Sequence, residues 1–301
     1  MMENMNRTAK VILGAAAVYL ALFLTAAPFD YPFSEFLTSH ANVWLVTFGA
    51  RLGPLPATMI SGYCILALGS LREKWRLYRV AAIAIIAAGA FNVLKPDLSS
   101  MLDIGFLIVL WALMFFLVRQ VPVPGNTSRN EHILQYSVLV ILISNTVVQF
   151  MKLLWGRPRF YALKLYDLAF VPWHRIAGFA MRPDAFRSFP SGHTVTAASM
   201  FLLVFLPVLY PERFHSRTKL WILCGIYTAL IASTRIMAGM HFLTDVLAGC
   251  AVFLLTMLVV TFVFRKLGID IWSESAEEET KSNEQPENKS TGMDEGKIRN
   301  G

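Results

Sequence analysis

The chain has 301 residues, of which 55% are hydrophobic and only 16% charged, and its mean hydropathy is +0.52. That is too apolar for a soluble globule of this length, so an integral membrane protein is expected. The net charge of +7 and the pI near 9.4 do not imply nucleic acid as a partner. No basic stripe carries interleaved aromatics, and loop cations beside anionic headgroups account for the balance.

In chain order, eight charge-poor runs have lengths suited to membrane spans: 11–27, 55–70, 80–94, 102–118, 133–151, 194–210, 219–236 and 243–264. They are apolar all round, as lipid-embedded helices should be, and no internal repeat suggests duplicated halves. The fold class expected is therefore all-α, a polytopic transmembrane helix bundle of about eight spans. The first run follows Arg7 and Lys10 and ends in Leu24-Thr25-Ala26-Ala27. It is longer than most signal-peptide cores, so an uncleaved anchor is expected. Cys64, Cys224 and Cys250 fall inside predicted spans without paired spacing and read as small buried hydrophobes. After residue 272 the composition changes to Glu, Ser, Asn and Lys. This divides the chain into a membrane domain, 1–272, and a disordered acidic cytoplasmic tail, 273–301.

Basic residues in short loops set the orientation. Arg72, Lys74, Arg76 and Arg79 crowd one loop, Arg119 and Arg129 flank another, and Arg213, Arg217 and Lys219 fill a third. With Arg7, Lys10, Arg265 and Lys266, all fall on one side of an eight-span chain, the cytoplasm. Both termini are then cytoplasmic. The exceptions are three clusters on the opposite, outer face: Lys152 with Arg157-Pro158-Arg159, Pro190-Ser191-Gly192-His193, and Thr234-Arg235 with His241 and Asp245.

Together these clusters suit a phosphate ester. Displacement at phosphorus spreads charge over its equatorial oxygens, so catalysis there is mainly positioning and electrostatic stabilisation. Arg159 and Arg235 present planar forks and Lys152 a point charge. Ser191 offers a hydroxyl, and Gly192 opens the backbone amides at the start of a helix to an anion. His241 and Asp245 stand four positions apart on one helix face, so the carboxylate can hold one ring nitrogen protonated while the other attacks phosphorus. A second imidazole, His193, can protonate the leaving oxygen. One histidine neutral and one charged predict a rate maximum in pH. Taken singly, each residue also has a plainer reading as an interfacial polar group or a snorkelling cation. Asp245 is the hardest to read that way, because carboxylates inside spans are rare.

The three clusters resemble the signature motifs of the type 2 phosphatidic acid phosphatase superfamily: Lys-x6-Arg-Pro, Pro-Ser-Gly-His and Ser-Arg-x5-His-x3-Asp. Lys152 and Arg159 fit the first, Pro190 to His193 the second, and Arg235, His241 and Asp245 the third, across roughly residues 133–265. Phe160 stands in place of the first motif's proline, which should relax the turn after Arg159, and Thr234 in place of the third motif's serine. The resemblance implies a six-span core, so the eight runs leave an extra hairpin at about 80–118. It implies that His241 is the nucleophile of a phosphohistidine intermediate, Asp245 its partner and His193 the general acid. Lys152, Arg159, Ser191, Gly192 and Arg235 would bind the phosphoryl group. It implies no metal and no cofactor, and the residues agree: clustered cations repel a divalent ion, and no second carboxylate lies close in sequence.

Segment 160–189 is long for a connection and rich in aromatics. It reads either as an interfacial loop with aromatics at headgroup level or as a partly helical lid that guides a lipid tail. The function expected is a membrane-embedded phosphatase whose partners are membrane lipids and a lipid phosphate substrate: polyprenyl pyrophosphate, phosphatidic acid or phosphatidylglycerol phosphate. A lipid phosphotransferase would use the same site, and a lipid transporter would place polar residues through the depth of several spans instead. Oligomeric state has no signal in the sequence.

Overall fold

A computed structural model of the chain describes residues 7–71 and 127–272, with positions 78, 81, 82, 124 and 125 between them. All regular structure among these residues is helical. The first run forms α1 (Arg7–Ala26), and a 3-10 turn at Ala27–Phe29 leads into α2 (Asp30–Ser39). Asn42 caps α3 (Val43–Leu52) by accepting from Trp44 N and Leu45 N, and α4 (Leu55–Leu71) follows. Thr127 caps the long α5 (Ser128–Trp155) through Asn130 N. α6 (Phe160–Leu165) is a short helix beyond it. α7 (Gly192–Ala198) runs through a 3-10 stretch, Ser199–Phe205, into α8 (Leu206–Leu209). Ser216 caps α9 (Arg217–Met237), and α10 (Leu243–Lys266) closes the bundle.

Among the described residues, five helical stretches are long and apolar enough to cross a membrane: Val43–Leu71, Ser128–Leu165, Gly192–Leu209, Arg217–Met237 and Leu243–Lys266. The chain is thus a multi-pass membrane protein. The run expected at 55–70 is longer than its apolar core, because α3 and α4 combine in one stretch from Val43. Neither α2 nor α3 was expected as a separate element, since Asp30, Pro32, Glu35, His40 and Arg51 interrupt the apolar pattern there. The runs at 80–94 and 102–118, and the tail from 273, lie outside the described residues.

α5 packs against α4 and α10, α10 against α7, and α9 against α3 and the 199–205 stretch. Tyr136 on α5 sits at the centre of the core with no exposure. Its ring meets Phe205 and Phe264 edge-on at 5.4 and 5.6 Å. Its hydroxyl donates to Met257 O at 2.9 Å, so the buried ring's polar atom is satisfied. Close approach elsewhere depends on small residues, as is usual where helices pack without a hydrophobic drive between them. A Cβ built on Gly49 would stand 1.7 Å from Thr234 Oγ1, whereas one on Gly225 meets nothing within 4 Å.

This contrast yields a stability prediction. Gly49→Ala must push α3 off α9 and should cost about 1–3 kcal/mol, the usual penalty of overpacking. Gly225→Ala should be neutral or slightly stabilising, because it adds helix propensity without a clash. Thermal unfolding in detergent compares the two directly, and equal melting temperatures would refute this packing of α3.

Candidate active site

The three clusters come together because turns and backbone hydrogen bonds aim them at one place. α5 ends at Gly156, whose φ of +58° is left-handed and suits glycine. A Cβ there would also lie 2.8 Å from the Arg182 guanidinium. Beyond this stop the chain is tied to the later clusters: Ser188 N donates to Arg157 O at 3.0 Å, Arg159 N to Ala185 O at 2.8 Å, and Tyr161 N to Gly239 O at 2.9 Å. Ser191 N donates to Asp245 O at 2.9 Å, joining the second cluster to the third. Gly249 permits that contact, since a Cβ on it would stand 2.6 Å from Ser191 O. The Ser191 oxygen caps α7, accepting from Thr194 Oγ1 at 2.9 Å and more loosely from Thr194 N.

The charges brought together are deeply buried. Exposure does not exceed 9% at any of Lys152, Arg159, Arg235, His241 and Asp245. His193 is half-buried and lies within electrostatic reach of Arg235, His241, Lys152 and Arg159. Gly192 lies against Lys152: a Cβ on it would be in ordinary contact, 3.5 Å from Lys152 Nζ.

Asp245 is the anchor. Its Oδ2 accepts from Ser188 Oγ at 2.5 Å and Phe242 N at 2.8 Å, and its Oδ1 accepts from Arg157 Nη1 at 2.6 Å. His241 Nδ1 is 3.7 Å from Asp245 Oδ2, beyond hydrogen-bond range but close enough for electrostatic attraction. That ring nitrogen is buried without a hydrogen-bond partner among the described residues. Burial pulls the His241 imidazole down to about 4, with the Asp245 carboxylate working against the fall. The ring is therefore neutral at physiological pH, the form needed to attack.

The cations differ in how they are held. Arg159 donates through Nε to Asp184 O at 2.8 Å, through Nη2 to Asp184 Oδ1 at 2.7 Å, and through Nη1 to Met240 Sδ at 2.9 Å. Arg235 leaves Nε and Nη1 buried with no partner among the described residues. Arg157, given no separate role by the sequence beyond its place in the first cluster, is fully buried and binds two carboxylates. Phe242 lies 4.2 Å from it, ring face to guanidinium.

Asp30, Arg157, Ser188 and Asp184 were all missed as site residues. A carboxylate just after an apolar run was the one available signal for Asp30. The sequence expectation concerned carboxylates close along the chain; in space Asp30 and Asp184 also reach the site, each engaged by an arginine. Phe160 does not loosen its turn. It opens α6, is 1% exposed, and packs on Phe242 and Tyr31. The Thr234 hydroxyl is spent on Ile231 O at 2.7 Å. In the 160–189 segment, Phe160 and Phe170 pack inward on Phe242, and Trp173 stacks toward Phe189. Ile176, Phe179 and Met181 are exposed.

Residues 134–268 match the family model described as the PAP2 superfamily. Phosphatidylglycerophosphatase B of Bacillus subtilis (strain 168) is 35% identical over 75 residues, 24% of this chain and 37% of that protein. A lipid A 1-phosphatase of Rhizobium johnstonii is 28% identical over 137 residues, 44% of this chain and 49% of that protein. The chain thus spans less than half the length of these relatives. A crystal structure of a transmembrane PAP2-type phosphatidylglycerolphosphate phosphatase from Bacillus subtilis aligns with a TM-score of 0.39 at 20% identity, covering 83% of this chain and 96% of that one. Residues 134–268, which carry all three clusters, are thus similar to the PAP2 superfamily.

Proposed function

We propose that this protein is a membrane-embedded lipid phosphatase that hydrolyses a phosphomonoester or pyrophosphate of a lipid through a phosphohistidine on His241. The observation that carries this reading is the gathering of Lys152, Arg159 and Arg235 around a neutral buried imidazole, with two Arg235 nitrogens lacking protein partners. A phosphoryl group would complete those hydrogen bonds and balance the cations. Both relatives are named for removing phosphate from a lipid, which supports a lipid substrate here. Polyprenyl pyrophosphate, phosphatidic acid and phosphatidylglycerol phosphate are the candidates.

In this mechanism Asp245 orients the ring so that Nδ1 carries the proton and Nε2 attacks phosphorus. The bond from phosphorus to the lipid oxygen breaks, and His193 gives its proton to that oxygen. Lys152, Arg159 and Arg235 stabilise the charge spreading over the equatorial oxygens. The ring, now phosphorylated on Nε2, is cationic, and Asp245 balances it. Water then attacks phosphorus with His193 as base, and the electron pair returns to Nε2. The site is assigned to the outer face. Its residues cluster where α5 and α9 end and α7 and α10 begin, while Arg129, Arg213, Arg217, Arg265 and Lys266 sit at the opposite helix ends.

His241→Ala should abolish phosphate release from lipid phosphates in detergent and EDTA, and a rapid acid-free quench should trap phosphate on wild type alone. Undiminished release by the variant would refute the nucleophile. Arg235→Met should lower kcat/KM by about 10²–10³-fold, the usual loss when one oxyanion donor is removed. Because attack needs neutral His241, and the free enzyme's ring titrates at about 4, the acid-side fall of kcat/KM should come only as pH drops through that value, while loss of the His193 proton ends the plateau at higher pH. A limb near 6.5, after correction for the substrate's own ionisation, would count against this environment for His241.

The exposed side chains of Ile176, Phe179 and Met181 suit contact with the bilayer. Changing all three to Ser should reduce turnover of long-chain substrates in vesicles by about three- to tenfold and leave a short-chain soluble phosphate unaffected. Equal effects on both would refute that contact.

A further inference from the structure

Asp30 lies outside all three clusters and outside residues 134–268, yet it is built into the site. It opens α2 and is 1% exposed. Oδ1 accepts from Thr244 N at 2.7 Å, and Oδ2 accepts from Thr244 Oγ1 at 2.5 Å and Arg157 Nη2 at 2.9 Å. An amide and a guanidinium can only donate, so this geometry favours the carboxylate form. Burial pushes the Asp30 carboxyl up, while Arg157 and Thr244 pull it back down.

Two consequences follow from these contacts. α10 starts at Leu243 with Phe242 as its cap, and Phe242 has no side-chain acceptor for the first amides. Asp30 supplies that acceptor from another helix, one residue before Asp245. Arg157 is also shared, with Nη1 on Asp245 and Nη2 on Asp30. Paired with Asp245 alone, it would cancel the charge that His241 needs. One guanidinium between two carboxylates leaves the trio with a net charge of −1. The other charged and titratable groups around His241 and His193 are Lys152 on α5, Arg159 beyond it, Arg235 on α9, and His193 itself on α7.

We propose that Asp30 is a positioning residue for the His241 chemistry. By sharing Arg157 and capping α10 it fixes Asp245 and leaves one net negative charge to balance the cationic imidazole formed during phosphoryl transfer. This rests on the reading of His241 as nucleophile.

The test uses the purified full chain and a lipid phosphate in detergent, with kcat, KM and the acid limb of kcat/KM measured for four variants. Asp30→Asn keeps the shape and makes the trio neutral. Arg157→Gln leaves two uncompensated carboxylates, and the double variant restores a single negative charge. Asp30→Asn should lose about 10- to 100-fold in kcat with KM within about threefold, and its acid limb should move to lower pH. Arg157→Gln should move the limb to higher pH. The double variant should return it toward wild type and recover at least about fivefold in kcat over Asp30→Asn. Wild-type kcat in Asp30→Asn would overturn the proposal. So would a lower kcat with an unmoved limb and no recovery in the double variant, because that describes a structural residue. If Asp30→Asn does not fold, the limbs of Arg157→Gln and the double variant must still differ, and coincident limbs overturn it. His241→Ala, the fourth variant, separates the two claims: if it is inactive while Asp30→Asn equals wild type, only the Asp30 proposal fails. If His241→Ala turns over normally, the nucleophile reading fails first.

Discussion

A guanidinium with no exposure to water constrains everything around it. Moving one such ion from water into a low-dielectric interior costs of order 20 kcal/mol in the idealised limit and still several after relaxation. Arg157 offsets that cost with hydrogen bonds from all three of its nitrogens. Nε donates to Val171 O at 2.8 Å, Nη1 to Thr244 Oγ1 and Asp245, and Nη2 to Asp30. The groups that satisfy it come from α2, the 166–191 connection and the start of α10. None of these segments can shift without leaving a buried charge unpaired, so a single side chain fixes the N-terminal region and the third cluster against the first.

The three arginines of the site divide between architecture and substrate according to what they touch. Arg157 has its donors committed to protein groups. Arg159 is held by Asp184 and Met240, but the Asp184 carboxylate is 72% exposed, so that pairing is screened by water and exchangeable. Arg235 keeps two buried nitrogens without partners. Commitment falls steadily from Arg157 to Arg159 to Arg235, and availability for an anion rises in the same order. Lys152 and Arg159 differ in sequence by seven positions, but the left-handed Gly156 between them lets one helix end deliver both.

Much of this was legible in the sequence, since the clusters are short and local. His241 and Asp245 share a helix start, Lys152 and Arg159 flank a helix stop, and Ser191 and Gly192 precede a helix. Their chemistry is readable from residue type and spacing alone. What could not be read was the packing that joins them. Asp30 and Arg157 are 127 positions apart, and an Asp after an apolar run looks like any loop residue until Thr244 is placed over it. Gly49 and Gly249 carry no signal either, because their role is to let Thr234 and Ser191 O approach. The short helix α2 was hidden because two of its polar residues face inward: Asp30 and Ser34 are buried while Phe33 and Phe36 are exposed. In lipid that inversion is stable, and rules drawn from water-soluble helices miss it.

The ordering of charge through the site also suggests why a phosphate would stop where His241 can reach it. The deepest layer, Asp30, Arg157 and Asp245, is net negative and dry. The next, Lys152, Arg159 and Arg235, is cationic and still at least nine-tenths buried. Beyond it come exposed Asp184 and half-buried Arg187. An anion approaching from the exposed side is drawn to the middle layer and repelled by the inner carboxylates, with little water between to weaken either force. His241 sits at the boundary between attraction and repulsion. There the neutral ring is stable, and under the proposed mechanism a negative neighbour is already in place for the cation that attack would create.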